Sequence, residues 1–184
     1  MPELVDISLE IFDRLDKLPD SVIFPQCLRR LLLTAKFIKE DPMPILEKLP
    51  CLVFLFLSGY KGHTMLCSAQ GFPRLTHLSL DNFYTEEWII EIGALPRLSH
   101  LSIMRFPNMS KLPQGLGQLP FLEELFLQIV PKISDNDITW KYLQGKGCKY
   151  TVIYRLLYIH GFSTTLFAFS VAVALFSLYT ARVH

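Results

Sequence analysis

Apolar and polar positions alternate along this chain in short bursts that recur at a nearly constant interval. Each burst reads Leu-x-x-Leu-x-Leu, with Ile allowed. The copies are Leu4/Ile7/Leu9, Leu28/Leu31/Leu33, Leu52/Leu55/Leu57, Leu75/Leu78/Leu80, Leu98/Leu101/Ile103 and Leu122/Leu125/Leu127. Their first positions, 4, 28, 52, 75, 98 and 122, are separated by steps of 24, 24, 23, 23 and 24. Within a burst the spacing is that of a strand, so the aliphatic side chains point one way and the residues between them the other.

A fixed period in this range predicts a leucine-rich-repeat solenoid of about six coils, α/β in class, with a parallel sheet on its concave side. Pro2, Pro50, Pro73, Pro96 and Pro120 stand two residues before the first leucine of their copies, and Pro25 three before the second copy. Proline holds φ near −65° and lacks an N–H, which suits strand entry rather than strand interior. The return segments are less regular. Residues 40–49 read as a short helix capped by Asp41, with Pro42 in its first turn. Residues 85–91 read as a second helix with acidic residues at its start, and residues 111–116 as a third. Three residues beyond the last aliphatic position stand Phe12, Lys36, Tyr60, Phe83, Phe106 and Val130. An apolar, mostly aromatic ladder along the stack is expected there. The first copy has no capping segment before it, an exposed edge that marks the chain as an expected excerpt of something longer.

With 184 residues and a net charge of +1 there is no general pull toward nucleic acid. Cys27, Cys51, Cys67 and Cys148 include no C-x-x-C pair, so zinc and redox spacings are absent. Cys27 and Cys51 fall at one repeat position, where a disulfide is conceivable and two reduced thiols are the simpler reading. His77 and His100 also share a position and should be neighbours, a pair with no third metal ligand. Asp135-Asn136-Asp137 lacks the glycine and distal glutamate of a calcium loop and reads as a turn. No Ser/His/Asp or Cys/His arrangement is legible. No enzyme, cofactor or metal site is expected.

Three stretches carry a family resemblance beyond the leucine skeleton. They are Glu40-Asp41-Pro42-Met43-Pro44-Ile45-Leu46-Glu47-Lys48-Leu49-Pro50-Cys51-Leu52, then Met65-Leu66-Cys67-Ser68-Ala69-Gln70-Gly71-Phe72-Pro73-Arg74-Leu75, and then Glu86-Glu87-Trp88 with Gly93-Ala94-Leu95-Pro96-Arg97-Leu98 and Leu112-Pro113-Gln114-Gly115-Leu116. Over residues 1–130 the chain resembles the C-terminal leucine-rich repeats of plant nucleotide-binding disease-resistance proteins of the coiled-coil class. The resemblance implies a role in plant defence, exercised through protein partners: a pathogen effector, a host protein, or other domains of a longer receptor. The family's nucleotide switch does not carry over. Gly145-Lys146-Gly147 lacks the first glycine and the Ser/Thr of a phosphate-binding loop.

After Tyr150 the composition changes. Residues 162–180 contain no charge, and as a helix they would span about 28 Å, close to a bilayer core. The expected organisation is a repeat domain over 1–139, a linker over 140–155 and a transmembrane helix over 156–181. Phe162, Leu166, Phe167, Phe169, Val171, Val173, Leu175, Phe176 and Leu178 would be the apolar residues of that span. Lys141, Lys146, Lys149 and Arg155 before the span against Arg182 after it predict a single-pass C-terminal anchor with cytoplasmic repeats. The alternative is a cytoplasmic chain whose tail is apolar by chance.

The expected partner-binding strip is the outward side of the concave sheet: Asp6, Ser8, Arg30, Leu32, Phe54, Phe56, His77, Ser79, His100, Ser102, Glu124 and Phe126. Phe54 and Phe56 are read as exposed aromatic anchors. The leading reading is a non-enzymatic protein-interaction module with a membrane tether. Its rivals are a fragment of an ATP/ADP-dependent immune switch whose nucleotide-binding domain is missing, and a non-functional gene remnant.

Overall fold

The computed structural model describes residues 5–153, all within one unit that runs from Met1 to Tyr154. Nine strands and two α-helices follow in order among the described residues. They are β1 (Val5–Leu15), β2 (Leu28–Ile38), α1 (Met43–Leu46), β3 (Phe54–Tyr60), β4 (Thr64–Cys67), β5 (His77–Asp81), β6 (Glu87–Ile90), β7 (His100–Met104), β8 (Glu124–Gln128), α2 (Ile138–Gly145) and β9 (Lys149–Ile153). The fold is mixed α/β with few helices. Seven strands form one sheet in the order β1-β2-β3-β5-β7-β8-β9, and every pairing in it is parallel.

The leucine bursts account for this sheet. Leu31, Leu55, Leu78, Leu101 and Leu125 stand in register across β2, β3, β5, β7 and β8, as do Leu33, Leu57, Leu80, Ile103 and Leu127. All ten are at most 2% exposed, each contributing about 1.5–3 kcal/mol of burial. Leu28, Leu52, Leu75, Leu98 and Leu122 sit just before or at the strand starts and are equally covered. In β1 the same row is more open, and Leu9 is 43% exposed, because β1 is the sheet's edge.

The chain leaves β3, β5, β7 and β8 through a left-handed residue at equivalent places: Gly59 (φ 103°), Asn82 (55°), Arg105 (55°) and Ile129 (51°). At Gly59 a Cβ would lie 1.9 Å from the Ala35 carbonyl oxygen, so only glycine fits. The apolar ladder forms in part. Tyr60 meets Phe83 edge-on at 5.5 Å, and Phe83 stacks on Phe106 at 5.0 Å and 7°. Val130 is buried beyond them, whereas Phe12 is 78% exposed and Lys36 is exposed. The β1–β2 pairing is irregular between Ile11 and Arg14, which takes Phe12 out of line.

The return segments depart from expectation. The first helix is confined to Met43–Leu46, with Asp41 Oδ1 accepting from the Met43 N–H as a cap. Residues 85–91 are not helical. Glu87–Ile90 is a strand, pairing in parallel with Thr64–Cys67 as a second, two-stranded sheet. Trp88 and Ile90 point inward while Glu87 and Ile89 point out, a two-residue period that outweighs the acidic helix-start signal. The third segment is a 3₁₀ turn over Gln114–Gln118. Carboxylates tie successive returns together: Asp41 Oδ2 accepts from Leu66 N, Glu47 Oε2 from Ser68 N and Glu91 Oε2 from Ala69 N. Asp137 caps α2 through Trp140 N and accepts from Leu112 N. Residues 140–153, read from sequence as a linker, hold most of α2 and all of β9.

The expected anchor must be corrected. The span over 156–181, with Phe162, Leu166, Phe167, Phe169, Val171, Val173, Leu175, Phe176 and Leu178, lies outside the described residues. Among the described residues no helix is long and apolar enough to cross a membrane. The longest, α2, has 8 residues, about 12 Å at 1.5 Å per residue. A single-pass tether therefore has no support in the structure.

Candidate functional site

Because the strands pair in register and side chains alternate, the outward residues of the large sheet form transverse rows. The first row runs Asp6, Arg30, Phe54, His77, His100, Glu124 and Lys149, and the second Ser8, Leu32, Phe56, Ser79, Ser102, Phe126 and Thr151. Every outward residue expected from the sequence falls in one of these two rows.

The first row is continuous in its contacts. Arg30 Nη1 lies 3.4 Å from Asp6 Oδ2, and its guanidinium carbon is 5.7 Å from the Phe54 ring centre. Phe54 stacks on His77 at 6.2 Å, and His77 on His100 at 4.4 Å and 7°. His100 Nε2 lies 3.6 Å from Glu124 Oε2. An acid, a guanidinium, an aromatic ring, two imidazoles and an acid thus form one interlocked strip, each contact of the cation–π, stacking or ion-pair kind.

Two hydroxyls behind the strip hydrogen-bond the histidine rings. Thr76 Oγ1 donates to Val53 O and faces His77 Nδ1 at 2.8 Å, while Ser99 Oγ donates to Thr76 O and faces His100 Nδ1 at 2.8 Å. Each hydroxyl has one proton and two acceptors within reach, the carbonyl and the ring nitrogen, so the proton it gives or takes at Nδ1 is coupled to the imidazole tautomer. Burial, helped by the neighbouring His100, pushes the His77 pKa down to about 4.

The second row is more apolar and more closed. Its Phe56 is 4% exposed and Phe54 of the first row 7%, so neither is the exposed anchor expected from the sequence. Phe54 is held between Arg30 and His77, and Phe56 stands between Leu32 and Ser79. Arg30, Leu32, His77, His100 and Phe126 are half-buried, while Asp6, Ser8 and Glu124 are exposed. The buried hydroxyls of Ser79 and Ser102, facing each other across β5 and β7, have no hydrogen-bond partner. A hydroxyl so placed costs about 1–3 kcal/mol.

A third row went unread in the sequence. Two residues beyond Ser79 stands Asp81, 1% exposed, which accepts from Ser58 Oγ at 3.2 Å and from Arg105 Nε at 2.7 Å, with a second bond to Arg105 Nη2. The signal was present, since Thr34, Ser58, Asp81, Met104 and Gln128 continue the same alternation. The four cysteines are free thiols, Cys27 and Cys51 included. Among the described residues no group of three or more His, Cys, Asp or Glu side chains could hold a metal ion.

No protein-family model matches the chain. Individual proteins do. A probable disease resistance protein of Arabidopsis thaliana is 42% identical over 126 residues, 67% of this chain and 14% of that protein. The probable disease resistance RPP8-like protein 4 of the same plant is 39% identical over 131 residues, 70% of this chain and 14% of its own length. Disease resistance protein RPP8 of Arabidopsis thaliana is 40% identical over 118 residues, 62% of this chain and 13% of its length. The chain therefore spans about 14% of the length of the curated relatives it matches. Over about two thirds of its length the chain is homologous to plant disease resistance proteins of the RPP8-like kind, a match consistent with a C-terminal region of such proteins.

Proposed function

We propose that this chain is a leucine-rich-repeat solenoid that acts as a non-enzymatic protein-interaction module in plant defence, and that the outward face of its large sheet receives the partner. The observation that carries this reading is the first transverse row, in which side chains from six successive strands touch in sequence from Asp6 to Glu124. Such a strip presents charge, ring faces and hydrogen-bonding groups on a rigid frame, the mixture that dominates protein–protein anchors. The partner is a host protein, a pathogen protein or another domain of a resistance protein. Homology supports a resistance-protein-like role, and neither the separate nucleotide switch nor the gene remnant is favoured.

The test places a photo-crosslinking amino acid at His100 or Phe126 on the outward face, and at Ile92 or Ile138 elsewhere on the surface, in chains expressed in plant cells. Ile92 and Ile138 are 80% and 82% exposed, so they report any unspecific contact. The proposal expects discrete adducts from His100 and Phe126 alone. Equal labelling from Ile92 and Ile138, or no adduct from the outward face, overturns it.

A further inference from the structure

We propose that the corner formed by His100, Ser102, Glu124 and Phe126 is a subsite for an arginine side chain of the partner protein. The inference rests on the reading of the outward face as the interaction surface.

The hydrogen-bond balance of the corner leads to this ligand. The Ser99 hydroxyl and His100 Nδ1 share one hydrogen bond at 2.8 Å. On the other side of the ring Nε2 stands 3.6 Å from Glu124 Oε2, too far for a hydrogen bond, and among the described residues that carboxylate accepts none. An ionised carboxylate carries only acceptors, so it calls for an N–H donor. Lys149 stands opposite Glu124 in register, yet the two make no ion pair among the described residues. Nearby, Ser102 lies two residues beyond His100 on the same face, and its buried hydroxyl has no partner. Phe126, two residues beyond Glu124 and in register with Ser102, offers a half-buried ring. The unmet requirements are thus several N–H donors, a positive charge and a flat surface to lie on a ring. A guanidinium supplies all three, whereas an ammonium supplies only the charge and donors.

The chain contains its own precedent. At the opposite end of the first row, Arg30 pairs with Asp6 on one neighbouring strand and lies over Phe54 on the other. There an acid and a ring are bridged by a guanidinium from the chain itself. Glu124 and Phe126 set an acid and a ring two residues apart on one strand, and among the described residues no arginine pairs with Glu124.

The experiment titrates the full 184-residue chain with the peptide acetyl-Gly-Arg-Gly-amide, following the His100 and Phe126 ring resonances by NMR. The citrulline peptide, equal in shape and uncharged, is the control. Saturable shifts are expected with arginine, with binding about tenfold weaker for citrulline. Glu124→Gln should weaken arginine binding by a similar factor without disturbing the spectrum elsewhere, and Phe126→Leu should weaken it while leaving the charge in place. No saturable shift, equal binding of citrulline, or an unaffected Glu124→Gln variant overturns the subsite. Discrete crosslinks from His100 without arginine selectivity would remove the subsite and leave the interaction face standing. Loss of the crosslinks would remove the interaction face itself.

Discussion

Phe12 and Phe83 occupy the same repeat position, and replacing each with alanine should have opposite consequences. Phe83 is 0% exposed and lies between Tyr60 at 5.5 Å and Phe106 at 5.0 Å, whereas Phe12 is 78% exposed. Truncating a buried phenylalanine costs about 3–5 kcal/mol, through lost transfer energy and the cavity left behind. The two ring contacts place Phe83 at the upper end, since each pair adds about 0.5–1.5 kcal/mol beyond its burial. A protein this size has roughly 5–15 kcal/mol of total stability, so Phe83→Ala should unfold a large part of the chain at ambient temperature or bring it close to that point. Phe12→Ala should change stability by no more than about 0.5 kcal/mol. Urea unfolding followed by the fluorescence of Trp88 and Trp140 compares the two, with Phe83→Leu as a milder variant that keeps the midpoint measurable. A Phe83→Leu midpoint within error of Phe12→Ala would refute the ladder as a structural element.

Three other outcomes follow from local geometry. Gly59→Ala should cost at least about 2–3 kcal/mol in the same assay, because left-handed strain adds to a Cβ that would sit 1.9 Å from the Ala35 oxygen. Ile129→Asn should raise stability by about 0.5–1 kcal/mol, since a β-branched residue at φ 51° is strained and asparagine tolerates that region; a destabilised variant would count against it. Acid should weaken the fold through His77, whose pKa falls from 6.5 to about 4. Between those values the unfolded chain binds the extra proton, so stability present above pH 6.5 is lost as pH falls toward 4. With the ring partly open to solvent, about 1–2 kcal/mol is expected. His77→Gln should flatten the stability profile in that window, and an unchanged slope would show that other groups cause it.

Much of the architecture was legible because its determinants are local and periodic. Alternation within a burst assigns inward and outward sides, and the steps of 23 and 24 place Leu31, Leu55, Leu78, Leu101 and Leu125 in one row, as the strand register has them. The same periodicity put His77 beside His100 and listed the residues of two outward rows. Segment 85–91 was misread because acidic residues before an apolar run suit a helix start equally well, and only the partner strand Thr64–Cys67 selects the extended form.

What the sequence by itself determined was the repeat, the parallel pairing and the side each residue faces. Only the tertiary structure decided how far each position is covered. Phe12 and Phe83 are identical by repeat position, yet one lies beside an irregular edge and the other between two rings. Phe54 and Phe56 point outward as the alternation requires, and are nonetheless buried. Direction is set by a residue's own backbone, within two positions of sequence. Burial is set by side chains on the neighbouring strand, more than twenty residues distant, and alternation along one strand carries no information about them.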